Sequence, residues 1–364
     1  MPALHERRRQ RLADVLTSVG LGSALVTTLL NVRYLTGFTG SAGTLLVSAD
    51  GSAEIATDSR YELQVAQECP DVRARITRSG RRELAASVLG TGLVAVGFED
   101  LSLDVAAWRE LPTGVEWTPL GGAIDHLRMT KDAVELNLLR QACLASDATL
   151  ADVLPRMRAG VTEREVARLI DDGLRDRSEG PGFDTIVASG PNGAIPHHQP
   201  SDRPLEPGDL VTMDFGARVG GYHADMTRTV LVASGVGGVD SGVHDWQRDI
   251  YETVRRAQQA GCDALGAGRL TSEVDAAARG IIVDAGFGEY FGHGLGHGVG
   301  LQIHEAPFLG ATSTDKLMAS VPVTVEPGIY LPGRGGVRIE DTVVVHADRV
   351  ELLTTTTRDL LVVG

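Results

Sequence analysis

Three histidines lie in a single glycine-rich stretch, GHGLGHGVGLQIHE, which covers residues 292–305. They are His293, His297 and His304, and the whole chain of 364 residues has only 10 histidines. An imidazole can bind a divalent metal or exchange a proton near neutral pH. Because three histidines alone do not make a site, the acidic residues that could accompany them decide which chemistry is available.

Four acidic residues interrupt apolar, strand-like segments. Asp214 and Asp225 lie in DLVTMDFGARVGGYHADMTRTVLV, residues 209–232. Glu326 ends the run VPVTVE, and Glu340 stands inside VRIEDTVVV. A carboxylate in an apolar strand is costly unless it is protonated, paired with a cation or bound to a metal.

A glycine turn is expected to bring the two aspartates together. If Val219 and Gly220 are the central residues of the hairpin, Asp214 and Asp225 face each other directly. If instead Gly220 and Gly221 are central, the aspartates are diagonal neighbours on one face of the sheet. Only an odd-numbered loop without a bulge would separate them.

The donor set is therefore four carboxylates and a histidine. Hard oxygen donors of this kind suit Mn²⁺, Co²⁺, Zn²⁺ or Fe²⁺ better than a structural zinc, which favours thiolates. Four carboxylates carry more charge than one divalent ion neutralises, so two metal ions are expected. Two such ions can lower the pKa of a shared water and produce a nucleophile at neutral pH.

Two similar rounds of secondary structure must position these residues. Each round predicts two helices followed by strands, and helix-start signals occur at Asp132 and Thr162. The repetition predicts an α+β domain with pseudo-twofold symmetry, and GVGGVDSGV, residues 235–243, is predicted to be a flexible surface loop. The predicted helices cover 132–155, 162–178, 245–265 and 271–286, and the predicted strands cover 183–189, 209–233, 321–326 and 336–346.

A smaller α/β pattern precedes these two rounds. Helix-like and strand-like segments alternate, and the character of the chain changes near residues 125–131. We therefore expect an N-terminal α/β domain over residues 1–128 and a catalytic domain over residues 129–364. The basic run Arg7-Arg8-Arg9 is expected to form the solvated face of a first helix.

Composition argues against several classes of protein. A net charge of −14 does not fit a nucleic-acid-binding surface, which would be basic. No run of about 18 apolar residues is present, so no membrane-spanning segment is expected. The three cysteines, Cys69, Cys143 and Cys262, are far apart and form no CxxC pair, which indicates reduced thiols and a cytoplasmic protein.

Four segments together closely resemble the pita-bread metallopeptidases, and among them the Xaa-Pro aminopeptidases and proline dipeptidases. These segments are MDFGARVGGYHADMTRT, GHGLGHGVGLQIHE, TVEPGIY and GVRIED. The resemblance runs over essentially the whole chain, and the chain is especially similar to small cytoplasmic proline peptidases of actinobacteria. It implies an α+β pita-bread domain behind an α/β domain of the creatinase/prolidase N-terminal type, which is ribonuclease H-like.

The resemblance also implies a role for each candidate ligand. Asp214 would bind one metal ion, and Asp225 and Glu340 would bridge both ions. His297 and Glu326 would bind the other ion, so only one of the three clustered histidines is expected to be a ligand. Manganese is the expected metal, with cobalt, zinc or iron as alternatives.

Matching positions imply catalytic roles for two other histidines. His304 would hydrogen-bond the substrate carbonyl, and His197 would assist proton transfer and steady the tetrahedral intermediate. His197 is preferred over the adjacent His198 because it follows Pro196 directly. Glu326 would also relay a proton from a water to the leaving nitrogen.

Further residues are implied in substrate binding. His293 would line the proline pocket, and Arg338 would lie near the substrate. The segments NVRYLTGFTGSAG and TDSRY resemble the N-terminal domain of Xaa-Pro aminopeptidases. In that domain Arg60 would either reach the active site of the partner subunit in a homodimer or be a structural residue at a strand-to-helix corner. His223 is expected to be a neighbour of the site rather than a ligand.

These roles imply hydrolysis of the Xaa-Pro bond at the N-terminus of short peptides that have proline at the second position. The expected enzyme is a Xaa-Pro aminopeptidase, and the alternative is a Xaa-Pro dipeptidase, which differs in how it caps the carboxylate of a dipeptide. A non-catalytic binding protein on the same fold and a creatinase-like hydrolase without metal are less expected, because the ligands are retained. A methionine aminopeptidase fits less well, because it lacks a front domain of this type.

Overall fold

The structure is a computed structural model that describes residues 2–89, 95–233 and 243–364. The chain divides into two compact units, Met1–Arg128 and Met129–Gly364. Among the described helices, none combines the length and the apolar character that crossing a membrane requires. The surface loop predicted over residues 235–243 lies outside the described residues except for Val243.

The first unit is built on a mixed six-stranded sheet. Its strand order is β4-β3-β2-β1-β5-β6, and β1 pairs antiparallel with β2 and parallel with β5. The strands are β1 (Ser23–Val26), β2 (Thr44–Ser48), β3 (Ala53–Thr57), β4 (Arg73–Ile76), β5 (Ala95–Phe98) and β6 (Glu116–Pro119). The helices are α1 (Pro2–Ser18), α2 (Leu29–Thr36), α3 (Glu62–Glu68), α4 (Gly80–Ser87), α5 (Val105–Arg109) and α6 (Ala123–Met129).

The arginine run on α1 is only partly solvated. Arg7 is exposed, but Arg8 and Arg9 are buried and donate hydrogen bonds to the carbonyl oxygens of Tyr34 and Leu35 at 3.1 and 3.0 Å. These carbonyls belong to the last turn of α2, where helix carbonyls have no partner within the helix and the dipole is negative. The expectation of a solvated arginine face is therefore wrong for two of the three residues.

The second unit repeats a simple pattern of two helices followed by strands. Its helices are α7 (Ala133–Val153), α8 (Glu163–Arg177), α9 (Asp245–Ala264) and α10 (Thr271–Asp284). Asp132 and Thr162 form the capping boxes that begin α7 and α8, as the sequence predicts. The strands are β7 (Ile186–Ser189), β8 (Leu210–Phe215), β9 (Arg218–Val219), β10 (Tyr222–His223), β11 (Met226–Val232), β12 (Gly296–Gly298), β13 (Glu305–Leu309), β14 (Val321–Val325), β15 (Gly328–Leu331), β16 (Gly335–Arg338), β17 (Asp341–Val345), β18 (Val350–Leu352) and β19 (Val362–Val363).

Two larger sheets carry the acidic residues, with strand orders β19-β11-β8-β7 and β13-β12-β14-β17-β18. In the first sheet Asp214 is paired with Thr227, and in the short β9-β10 ladder Val219 is paired with Tyr222. The turn is therefore centred on the two glycines between β9 and β10. Of the two registers considered, the structure has the one that makes Asp214 and Asp225 diagonal neighbours.

Strands β14 and β17 of the second sheet continue into β15 and β16, and the four strands form one long hairpin whose pairing register does not change along its length. Val325 pairs with Asp341 on β14 and β17, and Gly328 pairs with Arg338 on β15 and β16. Between these two residue pairs, Glu326 lies on one arm of the hairpin, between β14 and β15, and Glu340 lies on the other arm, between β16 and β17. The hairpin thus places both glutamates at the same level. The strands β14 and β17 also contribute to an apolar core that includes Ile250, Val254, Val274, Ala278, Val321, Val323, Val325, Val343 and Val345.

Candidate metal centre

All five predicted ligands line one cavity of about 530 Å³ in the second unit. Asp225, His297 and Glu340 each offer a ligand atom, and these atoms lie within 4.8 Å of one another. His297 Nε2 lies 3.5 Å from Asp225 Oδ2 and 3.3 Å from Glu326 Oε1. The residues come from β8, the loop before β11, β12 and the two facing arms of the long hairpin, so distant parts of the chain form one cluster.

Asp214 is bonded to Arg338, a residue that the family resemblance places near the substrate. Arg338 is buried and donates from Nη2 to Asp214 Oδ2 at 2.7 Å. The second oxygen, Asp214 Oδ1, is buried and has no hydrogen-bond partner among the described residues. A buried carboxylate oxygen without a donor is costly, and a divalent cation would satisfy it.

The electrostatics of the cluster also favour a cation. Burial, followed by the neighbouring carboxylates, raises the pKa of Asp225 and that of Glu340 well above their ordinary values. Burial raises the pKa of Asp214 as well, although Arg338 opposes the shift. The negative charge of the cluster thus exceeds what its arginine and histidine can balance, and this donor set fits divalent metal ions.

The ring of His297 is oriented for ligation. Its Nδ1 lies 3.0 Å from the carbonyl oxygen of Gly298, which leaves Nε2 directed toward the carboxylates. Burial lowers the pKa of His297, but its contact with Glu326 outweighs burial and the net shift is upward. For Glu326, burial raises the pKa, and the hydrogen bond and charge of His297 outweigh it and lower the value.

Buried threonines support the acidic ligands, and sequence reasoning missed them. Thr227 donates from its hydroxyl to Glu340 Oε2 at 2.7 Å. Thr324 donates to Glu326 Oε1 at 3.2 Å and accepts from the backbone N–H of His297 at 3.0 Å. A signal for them exists in the sequence, because each lies two residues from an acidic ligand on a strand, where alternate side chains share a face.

His293 faces a tyrosine that the sequence analysis did not select. His293 Nε2 lies 2.9 Å from the hydroxyl of Tyr330, and the same hydroxyl lies 3.0 Å from Arg338 Nη1. Burial lowers the pKa of His293 and raises that of Tyr330. The three side chains form one wall of the cavity. Tyr330 lies four residues after Glu326 in TVEPGIY, and this proximity is the only sequence signal for it.

The remaining histidines of the site differ in exposure and contacts. His304 is exposed at the mouth of the cavity, and its ring meets that of His297 edge-on, with centroids 4.4 Å apart. Burial, followed by the charge of His297, lowers the pKa of His304. His197 lines the cavity, whereas His198 turns away from it and contacts Glu163 at 2.8 Å.

Two other residues considered from sequence lie apart from the cavity wall. His223 Nδ1 contacts the carbonyl oxygen of Gly300 at 3.0 Å, and the residue does not line the cavity. Arg60 lies in the first unit, where it is exposed and forms two hydrogen bonds with Asp58 at 2.9 and 2.7 Å. Its predicted approach to the site of a partner subunit stays a prediction.

The fold and the carboxylate–histidine cluster define a metal-dependent hydrolase. Residues 137–347 match the model of metallopeptidase family M24, and residues 8–130 match the creatinase/prolidase N-terminal domain. The chain belongs to metallopeptidase family M24. It is a metallo-exopeptidase that uses divalent metal ions, and the predicted pita-bread fold with a creatinase-type front domain is confirmed.

Three relatives illustrate the similarity. A Xaa-Pro dipeptidase from Pyrococcus horikoshii is 32% identical over 97% of this chain and 98% of its own length. The structure of a Xaa-Pro dipeptidase from Bacillus anthracis is 36% identical, with a TM-score of 0.92 over 99% of this chain and 100% of that one. The structure of an X-Pro aminopeptidase from Thermotoga maritima is 33% identical, with a TM-score of 0.88 over 98% of this chain and 99% of that one.

Proposed function

We propose that the protein is a Xaa-Pro dipeptidase with a dinuclear metal centre. The observation that supports hydrolysis is that four carboxylates and His297 line one cavity, with Asp225, His297 and Glu340 buried and their ligand atoms within 4.8 Å of one another. The dipeptidase reading is supported by whole-length similarity to proteins named Xaa-Pro dipeptidases. We therefore prefer the dipeptidase to the aminopeptidase that the sequence analysis expected. The aminopeptidase is the competing proposal, and the similarity to the Thermotoga maritima protein supports it.

The cluster would hold two divalent ions, with Asp225 and Glu340 shared between them. Asp214 would complete one site, and His297 and Glu326 would complete the other. The chemistry that bound ions supply is polarisation of a carbonyl and activation of a water at neutral pH. Manganese fits the predominance of hard oxygen donors, with cobalt, zinc and iron as the other candidates.

Residues of the chain would handle the protons and the developing charge. Glu326 Oε1 lies 3.3 Å from His297 Nε2 in the cavity, where it can pass a proton from the attacking water to the leaving proline nitrogen. His304 and His197 line the same cavity and can donate hydrogen bonds to the carbonyl oxygen as it becomes negative. Hydrogen bonds made inside a partly enclosed cavity are stronger than those made in water.

The wall formed by His293, Tyr330 and Arg338 would receive the proline ring. A peptide bond before proline has no N–H, so recognition by a backbone acceptor is impossible and the shape of the ring must be read instead. The hydrogen bonds that join these three side chains hold the wall in one conformation. Short peptides with proline at the second position are the substrates that this geometry favours.

A peptide panel with a metal titration tests the proposal. Protein freed of metal would receive Mn²⁺ stepwise, and hydrolysis of Ala-Pro, Ala-Pro-Ala and Ala-Ala would be compared by chromatography. We expect activity to follow metal binding and kcat/KM for Ala-Pro to exceed that for Ala-Pro-Ala by about tenfold or more. The reverse ratio would favour the aminopeptidase, and metal binding without hydrolysis of any peptide would favour a binding protein.

Two wider features also remain proposals, namely a cytoplasmic location and a homodimer in which Arg60 reaches the partner's site. The three free cysteines support the first feature, because they fit a reducing compartment. The exposure of Arg60 supports the second. Sedimentation of the protein, together with the kinetics of Arg60→Ala, tests the dimer, and a monomer of full activity would contradict it.

A further inference from the structure

A buried glutamate at the first position of α8 lies behind the cavity wall. Glu163 is 0% exposed, yet its two carboxylate oxygens accept six hydrogen bonds. Oε1 accepts from the N–H and hydroxyl of Ser189 at 2.7 and 2.8 Å and from Asn192 Nδ2 at 2.9 Å. Oε2 accepts from His198 Nε2 at 2.8 Å and from the N–H and hydroxyl of Ser201 at 3.0 and 2.6 Å.

All these donors belong to the loop that carries His197. We call residues 189–201 the His197 loop; it begins at the last residue of β7 and forms part of the cavity wall. The two chain neighbours of His197 are held from different directions. The carbonyl oxygen of Pro196 accepts from Arg338 Nη1 at 3.4 Å, and the ring of His198 is bound by the buried glutamate. His197 therefore stands between two anchored residues.

We infer that Glu163 is a positioning residue that holds His197 in its orientation toward the metal cluster, an inference that rests on the proposed function. Two of its donors are backbone N–H groups, which cannot rotate away, so the carboxylate fixes the path of the loop as well as its side chains. Burial raises the pKa of Glu163, but the hydrogen bonds outweigh it and lower the value to about 2. The group is thus ionised at neutral pH and accepts at both oxygens.

Glutamine cannot replace this glutamate, although it has the same shape. The backbone N–H of Ser189 faces one carboxylate oxygen, and the backbone N–H of Ser201 faces the other. In either orientation, the amide of Glu163→Gln places its NH₂ against one of these N–H groups. Two donors cannot bond to each other, so one end of the His197 loop must move, while the volume of the core stays unchanged.

The first test is a double-mutant cycle in metal-loaded enzyme on Ala-Pro. Glu163→Gln is expected to lower kcat by about 10- to 100-fold, with metal content unchanged, because His197 is displaced. In the His197→Ala background the same change should cost less than about twofold, because the residue through which it acts is absent. An equal loss in both backgrounds would overturn the inference.

A matched control separates positioning from general stability. Asp147 on α7 accepts from the N–H and hydroxyl groups of Thr355 and Thr356 at 2.6 to 2.9 Å, and that loop does not line the cavity. Asp147→Asn should keep kcat within about twofold of wild type, since any lost stability is not coupled to His197. A loss as large as that of Glu163→Gln would overturn the inference.

Hydrogen–deuterium exchange gives a readout that does not depend on the substrate. Peptides across the His197 loop should exchange faster in Glu163→Gln than in wild type, and protection equal to wild type would overturn the inference. If wild type cleaves no Xaa-Pro peptide, the proposed function fails, and the exchange comparison still decides whether Glu163 orders the loop. Should Glu163→Gln not fold, Ser201→Ala removes one donor without adding an opposing one, and the same exchange comparison then decides the inference.

Discussion

His197 and His198 are adjacent in the chain but meet different surroundings. His197 lines the cavity, whereas the ring of His198 binds the buried carboxylate of Glu163. We expect His197→Ala to lower kcat by about 100-fold or more at unchanged metal content, because a donor that stabilises the developing negative charge is lost. His198→Gln should stay within about threefold of wild type, because the glutamine NH₂ can still donate to Glu163. Steady-state kinetics with metal analysis of both variants tests this prediction, and equal losses of kcat in the two would contradict it.

In the metal-free protein, ionised carboxylates of the metal cluster lower the free energy of unfolding. Asp225 and Glu340 have pKa values raised, chiefly by burial, above the ordinary 3.8 and 4.5. Between those ordinary values and the raised ones, the folded protein binds more protons than the unfolded chain does. The free energy of unfolding of the metal-free protein therefore falls as pH rises through this window.

Glu340→Gln should consequently stabilise the metal-free protein while abolishing metal binding. The amide carries no charge, and its oxygen can still accept the hydrogen bond that the Thr227 hydroxyl donates to Glu340 in the wild type. We expect a higher Tm than wild type at pH 8 in the presence of a chelator, a smaller difference at pH 5, and no rise in Tm on adding Mn²⁺. Thermal unfolding at the two pH values measures this, and a Tm below that of wild type at pH 8 would contradict the electrostatic account.

Single residues differ in how far the sequence reveals them. The four acidic ligands can be selected from sequence because carboxylates in apolar strands need a partner, whereas the choice of His297 among the clustered histidines depends on the family resemblance. The structure places all five residues around one cavity. Glu163 and Tyr330 cannot be selected in this way. Their importance lies in hydrogen bonds to residues far along the chain or on another strand, and those contacts exist only once the loops and the hairpin register are set.

At the scale of elements, the register of the β8–β11 hairpin depends on a very close backbone approach. A Cβ added at Gly216 would lie 1.7 Å from the carbonyl oxygen of Ala224. Contacts this short cannot be relieved by rotating a side chain, because the obstacle is backbone. The glycine therefore allows the strands to stay close where the chain passes from Asp214 toward Asp225.

Two glycine-to-alanine substitutions should change the free energy of unfolding in opposite directions. Gly216→Ala is expected to lower the free energy of unfolding by about 3 kcal/mol or more and to weaken metal binding. Gly280→Ala, inside α10 where an added Cβ meets nothing within 4 Å, should raise it by about 0.5–1 kcal/mol. Urea unfolding with a metal titration measures both, and a neutral Gly216→Ala would mean that the hairpin relaxes more easily than this backbone contact implies.

Elements with strong local signals are predicted well, and elements set by distant contacts are not. Capping boxes and apolar periodicity predict α7 and α8 to within about two residues. The hairpin turn is narrowed to two registers, but sequence alone does not choose between them. Short elements of the first unit, such as α2 and α5, carry no comparable signal. The burial of Arg8 and Arg9 depends on where the end of α2 lies, which is tertiary information.

At the scale of the whole molecule, the candidate metal centre is confined to one unit. All five candidate ligands, and the threonine and arginine side chains that bond to them, lie in Met129–Gly364. That unit also has its own extended apolar core. An ion pair connects the start of this unit to its interior, because buried Lys131 pairs with buried Glu305, the neighbour of His304. A domain with its own core can in principle fold alone.

We therefore expect a fragment of residues 129–364 to fold cooperatively and to bind Mn²⁺, whereas a fragment of residues 1–128 should fold without binding it. Calorimetric titration and thermal unfolding of the two fragments measure this. Lys131→Met in the larger fragment replaces a buried cation that pairs with Glu305, and it should lower the free energy of unfolding by about 3–5 kcal/mol. A larger fragment that folds but binds no Mn²⁺, while the full chain does, would show that the first unit supplies part of the metal centre.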